Sequence, residues 1–453
     1  KMFANPNKIF EAYQRESLPL QEAIDRLIYF AQKGTNIQNR IKSINLLAKI
    51  TLKTKEIFSI LENLLISDSS EQVRNAAINA LFKLFPNKSI YQPLKFSLFH
   101  EDSLEIKENA YQKLIDILKS LKPNSDNRAF FLDELNRMKM KEFRIPYSEL
   151  VKKGEINIFE FEELKYILIN YLSFIYLKKS FWRIKINIEK LSVTELRFIF
   201  KGLEQFPLPI QHLDNIRVLV LRYNQLKKIP EWISDLTKLE KLNLNVNNLK
   251  RIPESIGNLV KLKEIDLWKN EIKKIPQTIG ELQNLKSLNL RINKITSLPS
   301  SIGNLGSLQK LDLHDNNLTE LPVSLGQLNH LIHLDLSWNF ITHLPSTIGN
   351  LSNLEILRLE KNEIEKLPTH IGNLNSLKIL HLRENKLHDL PPTIGEMKNL
   401  EILNISNNYL KEIPETIMKL KNLEQLHLAG NNLPEKNLEI ITNLREKGVK
   451  LVL

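Results

Sequence analysis

The sequence predicts an α/β solenoid, a horseshoe of short parallel strands, preceded by an all-α helical domain. Three observations predict it. Ten asparagines recur with a strict 23-residue period, from Asn224 to Asn431. The same apolar triplet precedes each one, as in Ile216/Leu219/Leu221 and Leu423/Leu426/Leu428. The first 125 residues contain a single glycine, Gly34, and space their apolar residues as helices do.

Residues 1–125 form the helical domain. A weak repeat of 33–34 residues aligns Arg40, Ser43 and Leu47 with Arg74, Ala77 and Leu81, and with Lys107, Ala110 and Leu114. The middle copy, Asp68 to Leu81, resembles the second helix of a HEAT repeat, with Ser69 or Ser70 placed to cap it. Lys122-Pro123-Asn124-Ser125-Asp126-Asn127 reads as a turn or linker. Residues 126–192 read as a helical connector and cap, with residues 128–180 helical. Within them Leu164 to Leu177 is apolar but interrupted by Lys165, Asn170 and Ser173, and is too short to span a bilayer. It reads as a buried core segment. Trp182, Ile184, Ile186 and Ile188 alternate with polar residues, a strand pattern placed to cover the first edge of the array.

Residues 193–433 hold one degenerate repeat, in which Lys201 replaces the asparagine, and ten full ones. The asparagines are Asn224, Asn247, Asn270, Asn293, Asn316, Asn339, Asn362, Asn385, Asn408 and Asn431. Two leucines alternating with polar residues make a half-buried strand. One repeat cannot bury its apolar side alone, but stacked repeats share a continuous core. Each asparagine is expected to turn inward and bond backbone groups at the strand exit, because buried amides require partners. Proline six places later, then Ile-Gly, lets the chain return tightly. Residues 434–453 leave the pattern. Leu438, Ile441 and Leu444 predict a helix, and Val449 to Leu453 a last strand closing the core.

The units L-x-x-L-x-L-x-x-N and L-P-x-x-I-G resemble the leucine-rich repeat family in its 23-residue form, and within it bacterial, spirochaete-like members. The resemblance implies a horseshoe whose strands line a concave face that binds another protein, with no enzymatic activity and no cofactor.

Composition bounds the function. The chain has 453 residues, 42% hydrophobic and 26% charged, which excludes a disordered chain. It has no cysteine, which excludes disulfides, zinc–thiolate sites and a cysteine nucleophile. No phosphate loop, G-x-S-x-G or H-E-x-x-H motif occurs. The net charge is +12. Residues 201–300 carry 17 Lys/Arg against 10 Asp/Glu, whereas residues 301–453 carry 15 against 18. An excess spread without a continuous Lys/Arg run predicts weak binding to acidic polymers and no sequence-specific nucleic-acid binding. The start lacks the apolar core of a signal peptide, and the sequence leaves the compartment open: a soluble protein, cytoplasmic, or secreted if a signal has been removed.

The concave face follows from the register, because side chains two, four and six places before each asparagine share one surface. The convex turns repeat the same residues, whereas these columns vary from rung to rung. The candidate partner-binding residues are Trp268, Arg291, Asp312, His314, Asp335, Trp338, Ile356, Arg358, Ile379, His381, Arg383 and Ile402. Aromatic and arginine side chains dominate binding hot spots, and Ile356, Ile379 and Ile402 form a ridge on consecutive rungs. Asp312 and Asp335 sit on adjacent rungs with His314 nearby, weak candidates for a divalent ion. A solvated polar face, with Arg291 or Arg358 neutralising the acids, is the preferred reading of them. The expected function is therefore a non-enzymatic adaptor that binds a protein partner. Nucleic-acid or acidic-polymer binding through the basic N-terminal region is the first alternative. A metal-dependent hydrolase at Asp312/Asp335 is the second.

Overall fold

The computed structural model describes residues 5–138 and 160–453. The chain forms two compact units. One holds the residues up to Arg183 with Ile188–Val193 and Leu208–Leu213; the other holds Ile184–Asn187, Thr194–Pro207 and Asp214–Leu453.

In the first unit the helices are α1 (Pro6–Gln14), α2 (Leu20–Lys33), α3 (Ile37–Ile50), α4 (Lys55–Ser67), α5 (Glu71–Leu84), α6 (Tyr91–His100), α7 (Leu104–Ser120), α8 (Ser125–Arg137) and α9 (Phe161–Ser180). Residues 139–159 of the expected 128–180 helical segment lie outside the described residues. The weak repeat has a physical counterpart. Arg40, Arg74 and Lys107 hold equivalent places in its three copies, and each ties its helix to another segment. The Arg40 guanidinium donates to both carboxylate oxygens of Asp68. Arg74 donates to Glu101 through Nε and Nη2 at 2.8 and 2.9 Å. Lys107 Nζ donates to the Lys179 carbonyl at 3.2 Å. Ser70 occupies the N-cap position of α5, but its hydroxyl makes no capping bond. Asp68 accepts from the Ser70 N–H instead, at 2.9 Å. Helix α9 buries Leu164, Leu168 and Leu172 together with Asn170 and Ser173. Ser173 bonds the Tyr111 hydroxyl at 2.7 Å, which satisfies two buried polar groups at once. No described helix is long and apolar enough to cross a membrane.

The second unit is dominated by a sheet of 13 strands in strict sequence order. β1 (Lys185–Glu189) and β2 (Ser192–Arg197) are joined by Lys190-Leu191, both at positive φ, as a tight hairpin turn requires. From β2 onward every pairing is parallel. β3 (Val218–Val220) to β12 (Gln425–His427) are equally short, one strand per rung, without a gap. A short 3-10 helix returns the chain in each rung, entered from a proline with φ near −70°, as at Pro253 before Glu254–Asn258. The turn glycine is needed for room. A Cβ on Gly257 would stand 2.6 Å from the Thr278 carbonyl oxygen of the next rung. α10 (Leu438–Glu446) and β13 (Lys450–Val452) close the C-terminal end, with β13 paired to β12.

The asparagine ladder holds the strand exits. Asn316 Nδ2 donates to the carbonyls of Leu290 and Leu313, both at 3.0 Å, and its Oδ1 accepts from the Ile295 N–H at 3.0 Å. The same three-way pattern repeats from Asn224 to Asn431. Each asparagine thus satisfies backbone groups of its own rung and of the rung before it. Leaving such groups bare inside the solenoid costs about 1–3 kcal/mol apiece.

Candidate functional site

The parallel register sorts the open face of the sheet into columns. Asp312, Asp335, Arg358, His381 and Asn404 are lateral neighbours on successive strands. Lys310, His333, Ile356, Ile379 and Ile402 form a second such row. The isoleucine ridge exists, and its members are half-buried.

Much of the first column has a local structural role that sequence reading missed. Asn243, Asp266, Asn289, Asp312, Asp335 and Asn404 each accept, through Oδ1, the backbone N–H two residues on. Asp and Asn are favoured there because their short side chains bond locally to the backbone. Asp335 is buried, and it also accepts from the Ser337 hydroxyl. Ser337 Oγ lies 2.8 Å from His314 Nδ1. Asp312 has its carboxyl pushed above the ordinary range, first by burial and then by the facing charge of Asp335. Neither Arg291 nor Arg358 forms an ion pair with these acids among the described residues. Nor do the described residues contain a group of three or more His, Asp or Glu side chains disposed to hold a metal ion.

Around Arg358 the face opens into a cleft of about 500 Å³. Seven of the expected residues line it: Arg291, His314, Asp335, Trp338, Arg358, His381 and Arg383. Trp268, Asp312, Ile356, Ile379 and Ile402 lie outside it. Ser337, Glu360, Lys361, Glu384 and Asn404 complete the lining, and sequence reading had not selected them. Glu360 is legible in the column two places before the asparagine. Its partner is not, because the bond to His381 Nδ1 at 2.7 Å runs between rungs and between columns. Trp338 is 49% exposed at the rim, with Lys361 Nζ 3.7 Å from its ring centroid. Inside the cleft Arg358 Nε and Glu360 Oε2 are buried without a hydrogen-bond partner. Trp268 Nε1 is likewise buried and unpaired.

A further regularity accompanies the site. The residue before each ladder asparagine is left-handed. Tyr223, Val246, Lys269, Ile292, Asp315, Trp338, Lys361, Glu384 and Asn407 all have φ between 53 and 57°. This conformation turns Trp338 and Lys361 outward at the end of their strands.

Leucine-rich repeat region models match residues 276–363, 324–386 and 368–449, and a leucine rich repeat model matches residues 207–249. With the parallel sheet and its asparagine ladder, this half of the chain is a leucine-rich repeat solenoid. Among solved structures, a TDR receptor is 31% identical over 53% of this chain and 44% of its own, with a TM-score of 0.50. The plant peptide hormone receptor RGFR1 in complex with RGF2 is 35% identical over 50% and 38%, with a TM-score of 0.47. A leucine-rich repeat protein of Leptospira interrogans is 29% identical over 56% and 82%, with a TM-score of 0.34. The chain thus spans less than half the length of either receptor. No curated protein matches the chain.

Proposed function

We propose that this protein is a non-enzymatic interaction module and that it binds a protein partner in the cleft on the open, concave face of the leucine-rich repeat sheet. One observation carries the reading. Arg358 Nε and Glu360 Oε2 are removed from water yet have no hydrogen-bond partner, although buried polar groups are nearly always paired. A partner that opens the cleft on binding and supplies an acceptor and a donor would satisfy both, while exposed Trp338 offers an aromatic anchor at the rim. Little order is lost on binding, because parallel strands and a bonded asparagine ladder hold the face in place. The TDR receptor's similarity in fold agrees with a binding role for the repeats. The expected adaptor role, with the helical domain as a second module, belongs to the same proposal.

The test is affinity capture with the intact chain, read by mass spectrometry, comparing wild type with Trp338→Ala and Arg358→Glu. Each substitution is expected to weaken capture of the specific partner by more than about 1 kcal/mol, about fivefold, with the thermal melt unchanged. Asp335→Arg is a poorer probe, because it breaks the buried bonds to Ser337. Capture that survives both substitutions, and is abolished by changes in the helical unit, would show that the repeats serve only as a spacer.

A further inference from the structure

Outside the cleft, one stretch of the solenoid carries an unbalanced charge. Three and four places after the ladder asparagine, the chain runs in an extended limb toward the proline. On three consecutive rungs this limb presents Lys227-Lys228, Lys250-Arg251 and Lys273-Lys274, all exposed. The rungs are in register there. The Lys273 N–H donates to the Lys250 carbonyl at 3.4 Å, and farther along, the same limb pairs His343 with Lys366 in parallel. Like charges therefore face one another at about the spacing of neighbouring strands, 4.8 Å. The six later rungs with this limb carry no doubly basic pair: Thr296-Ser297, Thr319-Glu320, Thr342-His343, Glu365-Lys366, His388-Asp389 and Lys411-Glu412.

Elsewhere in the solenoid some lysines are neutralised across rungs. Lys241 with Glu264, Lys263 with Glu240, Lys294 with Glu271, Lys378 with Glu355 and Lys386 with Glu363 each pair at equivalent places on adjacent rungs. What sets the strip apart is that cations are doubled on three adjacent rungs with few such partners. Lys227 reaches Glu204, but Lys228, Lys250, Arg251, Lys273 and Lys274 form no ion pair among the described residues. Glu271, on the same limb, is taken by Lys294 at 3.1 Å. Like charges on adjacent strands are destabilising; Glu204 offsets Lys227, and Glu271 lies close enough to feel Lys250 and Lys273, but two carboxylates do not balance six cations.

We propose that this strip docks an acidic polypeptide segment of a partner, whose Asp and Glu carboxylates supply in trans the counter-charges that neighbouring rungs supply elsewhere. The chemistry of the strip favours this occupant over a nucleic acid. Five of the six cations are lysines, flexible point charges without the planar fork that reads phosphate bidentately. No aromatic residue stands among them to stack a base, as single-strand binders require.

The test uses the full chain and fluorescence anisotropy of a labelled oligoglutamate peptide. Binding is expected to weaken as salt rises, because exposed charges are screened within a Debye length. The triple variant Lys250→Glu/Arg251→Glu/Lys274→Glu is expected to weaken it about tenfold or more. A control reversing Lys398, Lys411 and Lys421, which changes net charge equally, is expected to leave most of the affinity intact. Arg358→Glu in the cleft is expected to leave it intact as well, which separates this surface from the proposed function. Equal loss in the strip and control variants overturns the proposal, as does no loss in either. Tighter strip-dependent binding of oligothymidylate, heparin or anionic vesicles than of oligoglutamate replaces the acidic polypeptide with that polymer or surface and overturns the assignment.

Discussion

At the scale of single residues, Asp312 separates fold from function. Its Oδ1 caps the His314 N–H, a task that Asn243, Asn289 and Asn404 perform as amides in the same column. The negative charge is therefore not needed for the local fold, and burial together with Asp335 disfavours it. The sign follows from linkage. The folded state holds the Asp312 proton more tightly than the unfolded chain does, so Asp312 detracts from stability once pH rises through its raised folded value, and has no such effect below the ordinary aspartate range. Asp312→Asn is expected to raise stability at pH 7 by up to about 1 kcal/mol, with no gain near pH 2–3. Calorimetric melts at the two pH values check this, and a loss at pH 7 would show that the ionised carboxylate is needed. The expected acidic cluster was legible as two facing aspartates. Their capping role was not, because it depends on a strand-exit turn whose dihedral angles no side chain announces.

At the scale of the repeat, the parts differ in how openly the sequence declares them. Strand and ladder positions recur in all ten full rungs and the turn glycine in seven, because each is selected by one demand: an aliphatic side chain for the core, an amide with donor and acceptor for the exit, a glycine where the next rung's carbonyl approaches. The left-handed residue before each asparagine escapes such a reading. Its occupants are Tyr, Val, Lys, Ile, Asp, Trp, Lys, Glu and Asn, with no common chemistry. The conformation is imposed by the bonds on either side, and the N–H of Val246 and the carbonyl beyond it already sit in the inter-rung ladder. Outside glycine and asparagine, that conformation costs about 1–2 kcal/mol per residue. Val246→Asn is therefore expected to stabilise the protein by about 1 kcal/mol, and Asn407→Val to destabilise it by a similar amount. Chemical denaturation of both variants measures the pair, and equal midpoints would mean that the turn geometry carries no strain. The cleft was half legible for a related reason. The register identified the columns, but Glu360, Lys361 and Glu384 line it through contacts that the columns do not display, to His381, Trp338 and Arg383 respectively.

At the scale of the whole molecule, each strand of the solenoid pairs only with its neighbours in sequence order. Stability in such an array is a sum of rung and interface contributions, so damage at an end stays near that end. Leu444 of α10 is buried, as are Ile441 and Val449 beside it. Leu444→Asp is expected to expose Gln425–His427 and Ile402–Asn404 to rapid amide hydrogen exchange while Val218–Val220 and Lys241–Asn243 keep wild-type protection. Uniform loss across the sheet would instead show that the solenoid unfolds as one cooperative block. The order of helical region and repeat array was legible from the change in periodicity near residue 190. The compact division was not. Leu208–Leu213 lies in sequence between residues of the solenoid yet packs with the helical unit, where His212 meets Tyr111 at a ring distance of 6.1 Å.

The asparagine ladder also bears on how the chain is synthesised. Asn316 caps groups belonging to Ile295 and Leu290, residues that leave the ribosome 21 and 26 positions earlier. A newly emerged rung therefore has all its leucines before it has its closing amide, which arrives only with the following rung. Ordered structure trails the nascent chain by one repeat, and the growing tip always carries one unsealed turn. Translation pauses inside the array would leave the same short exposed end wherever they fell, a uniform target for a chaperone rather than one that changes with chain length.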